Sequence, residues 1–306
     1  MINTFLIGAQ KAGTTSLFSW LGQHPKIDAP IETKDLHFFS YDKNFCKGYN
    51  YLDKFYNKEK KVRLHAAVNY LYFSNISAKR ISEYIENPKF IVCIRNPVDR
   101  AVSAYNYNKM TQREHLSFEK AIEREFTKSM NYHQELADYT YLEHGKYFSQ
   151  IVEYLKFFPL KSFNFVIFEE LMNPKTREQV MKKIFAFIDV DPNIGINYSH
   201  LNESGEPRIS AINRVIYSYK LRNLLKKYLL LDKAIPNKLR AKVIQRITET
   251  NISSKSKKQK YSINKKLRLS LELWFWSDVE QLQNLIGKDL LKTWNFSSAN
   301  MIEKIL

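Results

Sequence analysis

NTFLIGAQKAGTTSLFSWLGQHP, from Asn3 to Pro25, carries an apolar run ending at Gly8, a short loop closed by Gly13, and then Thr14, Thr15 and Ser16 at the head of an amphipathic pattern. Strand, glycine-bounded loop and helix start, in that order, aim several backbone N–H groups at one point, where the helix dipole also favours an anion. Gly8 and Gly13 permit the tight path, and the hydroxyls of Thr14, Thr15 and Ser16 add donors. The stretch is nearly a phosphate-binding P-loop. That pattern, however, places a lysine directly after the second glycine. Here Thr14 stands in that place, and the lysine, Lys11, lies inside the loop.

Three further apolar runs suit strands: VRLHAAV near Val62, KFIVCI near Phe90 and FNFVIF near Phe163. Helical spacing follows Thr14, crosses SAKRISEYI, follows Pro97 in VDRAVSAYNYN, runs from Ser117 to Ser129, and crosses YFSQIVEYLKFF and TREQVMKKIFAFI. Strand and helix in alternation predict an α/β fold, a P-loop NTPase-like parallel β-sheet flanked by helices. Beyond about Ser210 the pattern becomes helical and basic in INRVIYSYKLRNLLKKYLL, polar in TNISSKSKKQKYS, and helical again from Lys265 to Trp294. The expected organisation is one domain over 1–306, with an α/β nucleotide-binding core in 1–209 and a mainly helical C-terminal extension in 210–306.

With 44% hydrophobic and 14% aromatic residues in a chain of 306, a folded globular protein is expected. The 48 lysines and arginines exceed the 31 acidic residues by 17, a field that attracts anions of many kinds. The run from Lys255 to Lys260 suits either a polyanion or a solvated loop. No apolar run approaches the roughly 20 residues that cross a bilayer, and the chain enters a strand without a charged lead. A cytoplasmic location is therefore expected, with room for peripheral contact with a membrane. Cys46 and Cys93 are far apart, and Cys93 sits inside an apolar run, so neither a disulfide nor a metal cluster is expected. The seven histidines form no zinc-ligand spacing. Of these, His65 lies within a strand run, where a buried, hydrogen-bonded role suits it, and Trp274 and Trp276 read as packing residues.

A second constellation lies in FIVCIRNPVDRAVSAYNYN. An apolar strand ends at Arg95, Pro97 suits the first helical position, and Ser103 follows two turns on. Arg95 at a strand end offers a planar fork to a phosphate, and Ser103 adds a hydroxyl. Alone, an arginine there could simply cap the sheet edge.

Taken together, QKAGTTSL, IRNPVDRAVSAY and the spacing between them resemble the sulfotransferases that use 3′-phosphoadenosine 5′-phosphosulfate, and most of all the heparan sulfate and glycan type with its bacterial relatives. DLHFFS from Asp35, GKYFSQIVEYLKFFP from Gly145, NESGEPR from Asn202 and DVEQLQNLIGKDLLKTW from Asp278 extend the resemblance. It implies that Lys11, Ala12, Gly13, Thr14 and Thr15 wrap the 5′-phosphosulfate, and that Arg95 and Ser103 hold the 3′-phosphate. Gly205 and Arg208 would be secondary contacts in a loop over the nucleotide. Lys11 would stabilise charge on the departing phosphate oxygen. Asp35 would take the acceptor proton, with His37 or Glu32 as alternatives.

Two departures mark the acceptor side. The glycan enzymes carry a glutamate where Asp35 stands, and many relatives carry a Glu, often with a Lys, where Ala67 and Val68 stand, although Tyr72 keeps their tyrosine. The implied acceptor is a hydroxyl of a carbohydrate or glycolipid rather than nucleic acid, and Asn69 or His65 could add polar contacts to it. Two rival readings remain: a P-loop kinase acting on a small molecule or sugar, and a non-catalytic polyanion-binding protein.

Overall fold

The computed structural model describes residues 1–127, 133–198 and 260–296, together with 206–207 and 252–253. Five strands form one sheet: β1 (Thr4–Gly8), β2 (Ile27–Asp28), β3 (Val62–Ala66), β4 (Lys89–Ile94) and β5 (Phe163–Ile167). Their order is β2-β3-β1-β4-β5, and every pair is parallel. β1 lies at the centre, with Leu6 opposite Ala66 on one side and Ile91 on the other. Its five residues are all buried, which is why its run shows no polar alternation.

The helices are α1 (Thr14–Leu21), α2 (Asp42–Phe45), α3 (Tyr49–Asp53), α4 (Ser74–Ser82), α5 (Pro97–Met110), α6 (Phe118–Phe126), α7 (His133–Tyr139), α8 (Tyr147–Leu155), α9 (Phe168–Met172), α10 (Arg177–Phe187), α11 (Lys265–Ile286) and α12 (Leu290–Thr293). The sheet and its flanking helices are those expected of the α/β core, with several local differences. β2 is only two residues long, too short to leave a hydropathy pattern. Phe168 does not continue β5 but opens α9. The helix across 147–158 stops at Leu155, before Pro159. The last helical stretch divides at Gly287, whose φ of 65° makes a left-handed cap. Within the polar stretch near 250, Ile252–Ser253 pairs with Glu206–Pro207 as a two-stranded antiparallel ribbon. The helical pattern expected in 212–230 and the lysine run in 255–259 lie outside the described residues.

Because the strands are parallel, their C-terminal ends share one edge. The chain passes from β3 on one side of β1 to β4 on the other, so the loops leaving β1 and β4 meet at the switch point where ligands of open α/β sheets bind. The long C-terminal helix α11 packs on α8 and α5. Asp278 of α11 accepts hydrogen bonds from the Phe148 and Ser149 amides at 3.0 and 3.2 Å, capping α8. Phe275, fully buried, closes on Gly145, where a Cβ would lie 2.8 Å from its ring and 2.9 Å from Pro97. Among the described residues, no helix is long and apolar enough to cross a membrane.

Candidate active site

The loop from Ala9 to Gly13 is stitched to β4. The Ala9 amide donates to the Cys93 carbonyl at 2.6 Å, and the Cys93 thiol, buried, donates to the Ala12 carbonyl at 2.8 Å. Gly13 has φ 79°, and a Cβ there would meet Met172 Cε at 2.8 Å and the Phe168 ring at 3.0 Å. At Gly8 a Cβ would meet Leu71 Cβ at 2.8 Å. Any other residue at either position would push the loop away from its supports. No side chain caps the first turn of α1, so the amides there point out of the helix end with the positive end of its dipole. Thr14 and Ser16 are buried and Thr15 is half-buried.

Arg95 leaves the end of β4 and reaches the same loop, donating from Nη1 to the Lys11 carbonyl at 3.2 Å. Its guanidinium lies 4.5 Å from the centre of the Phe168 ring, and its own carbonyl accepts from the Tyr147 hydroxyl at 3.0 Å. Asn96 caps α5 by accepting from the Val98 and Asp99 amides at 3.0 and 3.2 Å, with Pro97 in the first turn as the sequence leads one to expect. Ser103 is half-buried on α5, one turn before Tyr107 and therefore on the same face. The Tyr107 ring carries the Lys11 ammonium at 4.0 Å from its centre. The fold thus draws Lys11, Arg95 and the face of α5 that bears Ser103 to one place.

Positive charge accumulates there. Burial, then the Arg95, Arg100 and Arg113 guanidiniums, push the Lys11 ammonium down to about 8. Arg100 is fully buried and donates to the Tyr141 carbonyl. Arg113 is held by Asp138 at 3.2 Å. Among the described residues no carboxylate forms an ion pair with Lys11.

Asp35 and His37 lie on a turn held against the end of β3, and both have positive φ, 57° and 52°. The Asp35 amide donates to the Ala66 carbonyl at the end of β3, at 2.8 Å. One Asp35 carboxylate oxygen accepts from the Val68 amide at 3.2 Å, and the other faces Lys34 Nζ at 2.6 Å. Burial disfavours the charge, but Lys34, His37 and that amide outweigh it and hold the carboxyl below its ordinary value. Val68 thus contributes its main chain where the resembling enzymes carry a side-chain charge.

A buried relay fixes that turn at both ends. Thr33 donates to the Pro30 carbonyl at 2.8 Å and lies 2.9 Å from the Tyr56 hydroxyl, which also reaches the Leu64 carbonyl at 3.4 Å. His65 hydrogen-bonds Tyr56 through Nδ1 at 2.9 Å and Tyr70 through Nε2 at 2.7 Å. Tyr70 in turn accepts from the Phe39 amide at 3.0 Å. His65 is a buried, fully hydrogen-bonded histidine, as its place in a strand suggested, and both its nitrogens are occupied by tyrosine hydroxyls. Tyr72 stacks on His144, ring centres 3.8 Å apart. Gly205 and Arg208 lie outside the described residues.

Phe168, Tyr107, Tyr147 and Arg113 escaped the sequence reading. Phe168 ended an apolar run like any strand residue, and Tyr107 carried only helical spacing. Among the described residues no group of three His, Cys, Asp or Glu side chains could hold a metal ion, and both cysteines are free.

The family model of the sulfotransferase domain matches residues 2–267. Heparan sulfate glucosamine 3-O-sulfotransferase 3B1 of Mus musculus is 27% identical over 202 residues, covering 65% of this chain and 49% of the relative. Bifunctional heparan sulfate N-deacetylase/N-sulfotransferase 1 of Homo sapiens is 28% identical over 112 residues, covering 34% of this chain and 12% of the relative. The chain therefore spans about half the length of the first of these named relatives and about an eighth of the second. Among solved structures, a sulfotransferase from Alicyclobacillus acidocaldarius superposes with a TM-score of 0.66 at 23% identity, covering 96% of this chain and 99% of that one. That likeness establishes the fold.

Proposed function

We propose that this chain, which belongs to the sulfotransferase domain family, moves the sulfuryl group of 3′-phosphoadenosine 5′-phosphosulfate onto a hydroxyl of a carbohydrate or glycolipid acceptor. The observation that carries this reading is the 3.2 Å bond from Arg95 to the carbonyl of Lys11, which joins the two phosphate-binding motifs into one cationic surface. The residues fit such a donor. Gly8 and Gly13 let the loop lie tight against Leu71, Met172 and Phe168, where a Cβ would clash, the first turn of α1 has no side-chain cap, and no carboxylate among the described residues neutralises Lys11. On this reading 1–306 act as one domain. Lys11, Ala12, Gly13, Thr14, Thr15 and Ser16 hold the 5′ end of the donor, and Arg95 and Ser103 hold the 3′-phosphate.

Sulfuryl transfer leaves negative charge on the phosphate oxygen that departs and a proton on the acceptor oxygen. The Lys11 ammonium is fixed where that charge grows, and a preorganised cation in a water-poor site costs nothing to reorient. Asp35, ionised and anchored to β3, takes the proton. Its Lys34 partner keeps the carboxylate charged in the resting state. His37, on the same turn, is the second candidate for the base. The carbohydrate acceptor rests on the heparan sulfate sulfotransferases to which the chain is similar, and the choice of a hydroxyl on the 3-O-sulfotransferase among them.

Calorimetry with 3′-phosphoadenosine 5′-phosphate against ATP tests the donor. We expect tight binding of the bisphosphate, weakened at least tenfold in Arg95→Ala, and weak binding of ATP. The reverse order would remove this reading in favour of a kinase.

A further inference from the structure

Lys11 is a half-buried cation surrounded by three guanidiniums, yet among the described residues it has no carboxylate partner. Its ammonium faces the ring of Tyr107 instead, 4.0 Å from the centre. Arg113 approaches the same ring at 5.6 Å and is itself tied to Asp138. We propose that the face of Tyr107 is a positioning surface for Lys11, supplying the negative potential that keeps the ammonium charged and in place before the donor arrives. The proposal rests on the reading of Lys11 as the residue that meets the departing phosphate oxygen.

An aromatic ring suits this task where a carboxylate would not. An aspartate or glutamate at position 107 would hold Lys11 by a full charge and repel the anionic donor. The ring offers only the partial negative charge of its π face, so it steadies the ammonium and yields to phosphate oxygens without a formal charge to overcome. Its place on α5, one turn after Ser103, puts it between the two halves of the donor site. The groups acting on Lys11 come from three elements: Arg95 at the end of β4, Arg100 and Tyr107 on α5, and Arg113 in the segment after it. Burial first, and then all three guanidiniums, drive the lysine towards its neutral form, to about 8, and the ring opposes them.

The test reads the charge of Lys11 without using sulfotransfer. Trace acylation of donor-free protein with acetic anhydride between pH 6 and 9, followed by mass spectrometry of the Lys11 peptide, gives the titration midpoint of that amine. We expect Tyr107→Leu to lower the midpoint by about one pH unit, and Tyr107→Phe, which keeps the face and loses the hydroxyl, to leave it in place. An unchanged midpoint in Tyr107→Leu overturns the proposal, as does an equal shift in Tyr107→Phe, which would assign the effect to the hydroxyl. Should the leucine variant fail to fold, Tyr107→Trp carries the test, because the larger face must raise the midpoint. The basic limb of kcat/KM, measured on the same variants, separates the two readings. A shifted midpoint with an unmoved limb leaves the ring's hold on Lys11 standing and removes Lys11 from the chemistry.

Discussion

Lys11 must be protonated and Asp35 ionised for the proposed transfer, and their surroundings place the two titrations far apart. With Lys11 near 8 in the donor-free protein, kcat/KM is expected to fall above about pH 8. The corresponding limb of kcat should lie higher, because bound phosphate oxygens favour the ammonium. Asp35 is held below its ordinary 3.8 by Lys34, His37 and the Val68 amide acting against burial, so its loss of charge lies below that value. Activity should therefore be level between about pH 5 and 7 if Asp35 is the base, whereas a histidine base would give an acid limb that is lost when the histidine is replaced. Rate profiles of the wild type, His37→Gln and Asp35→Asn decide between them. We expect Asp35→Asn to lose about 10² to 10⁴ in turnover while binding the bisphosphate normally. An acid limb that disappears in His37→Gln would assign the base to His37.

At the scale of the element, the turn carrying Asp35 and His37 is held by a strand it does not belong to. His65 on β3 is kept neutral, its pKa pushed by burial and then by His37 down to about 3. In the unfolded chain it returns to 6.5, so between these values the unfolded state binds the extra proton. The contribution is complete above pH 6.5 and is lost as pH falls towards 3, at about 1.4 kcal/mol per pH unit. His144, driven the same way by burial, adds to the slope. Urea unfolding at a series of pH values should show His65→Gln less stable than wild type at pH 7, by about 1 to 3 kcal/mol, but with a shallower acid dependence. Equal slopes in the two proteins would mean that His65 is not the titrating group. What could be read from the sequence follows the same division. The strands β1, β3, β4 and β5, the loop between Gly8 and Gly13 and the start of α5 are local patterns, and they stand close to where their residues put them, whereas the two-residue β2 left no pattern. The relay through Thr33, Tyr56, His65 and Tyr70 is a product of packing. So is Arg95, whose partner Lys11 lies 84 residues away and whose carbonyl is met by Tyr147 from 52 residues away. No periodicity encodes such meetings.

Across the whole molecule, the C-terminal helices complete the site from a distance. The family model ends its match at residue 267, just as α11 begins, yet the described residues after it close a ring around the start of α5. Trp294 donates from Nε1 to Glu169 at 3.0 Å, and the other oxygen of that carboxylate accepts from the Asn96 amide at 3.2 Å. The Asn96 side chain donates to the Trp294 carbonyl at 3.2 Å while its oxygen caps α5. Asn96 follows Arg95 directly, so the residue that ends the last helix and the proposed 3′-phosphate half of the site share one hydrogen-bonded ring. Trp294→Phe keeps an aromatic side chain beside Tyr147 and Phe296 and deletes only the indole N–H. A merely structural contact would cost about 1 kcal/mol of stability and leave ligand binding alone. A ring that sets Arg95 should also weaken 3′-phosphoadenosine 5′-phosphate, by about three- to tenfold, while leaving the affinity for adenosine 5′-phosphosulfate, which lacks the 3′-phosphate, nearly unchanged. Calorimetry with the two nucleotides separates these outcomes: equal losses for both would place the effect of Trp294 on the fold as a whole, whereas a loss confined to the 3′-phosphorylated ligand places it at Arg95.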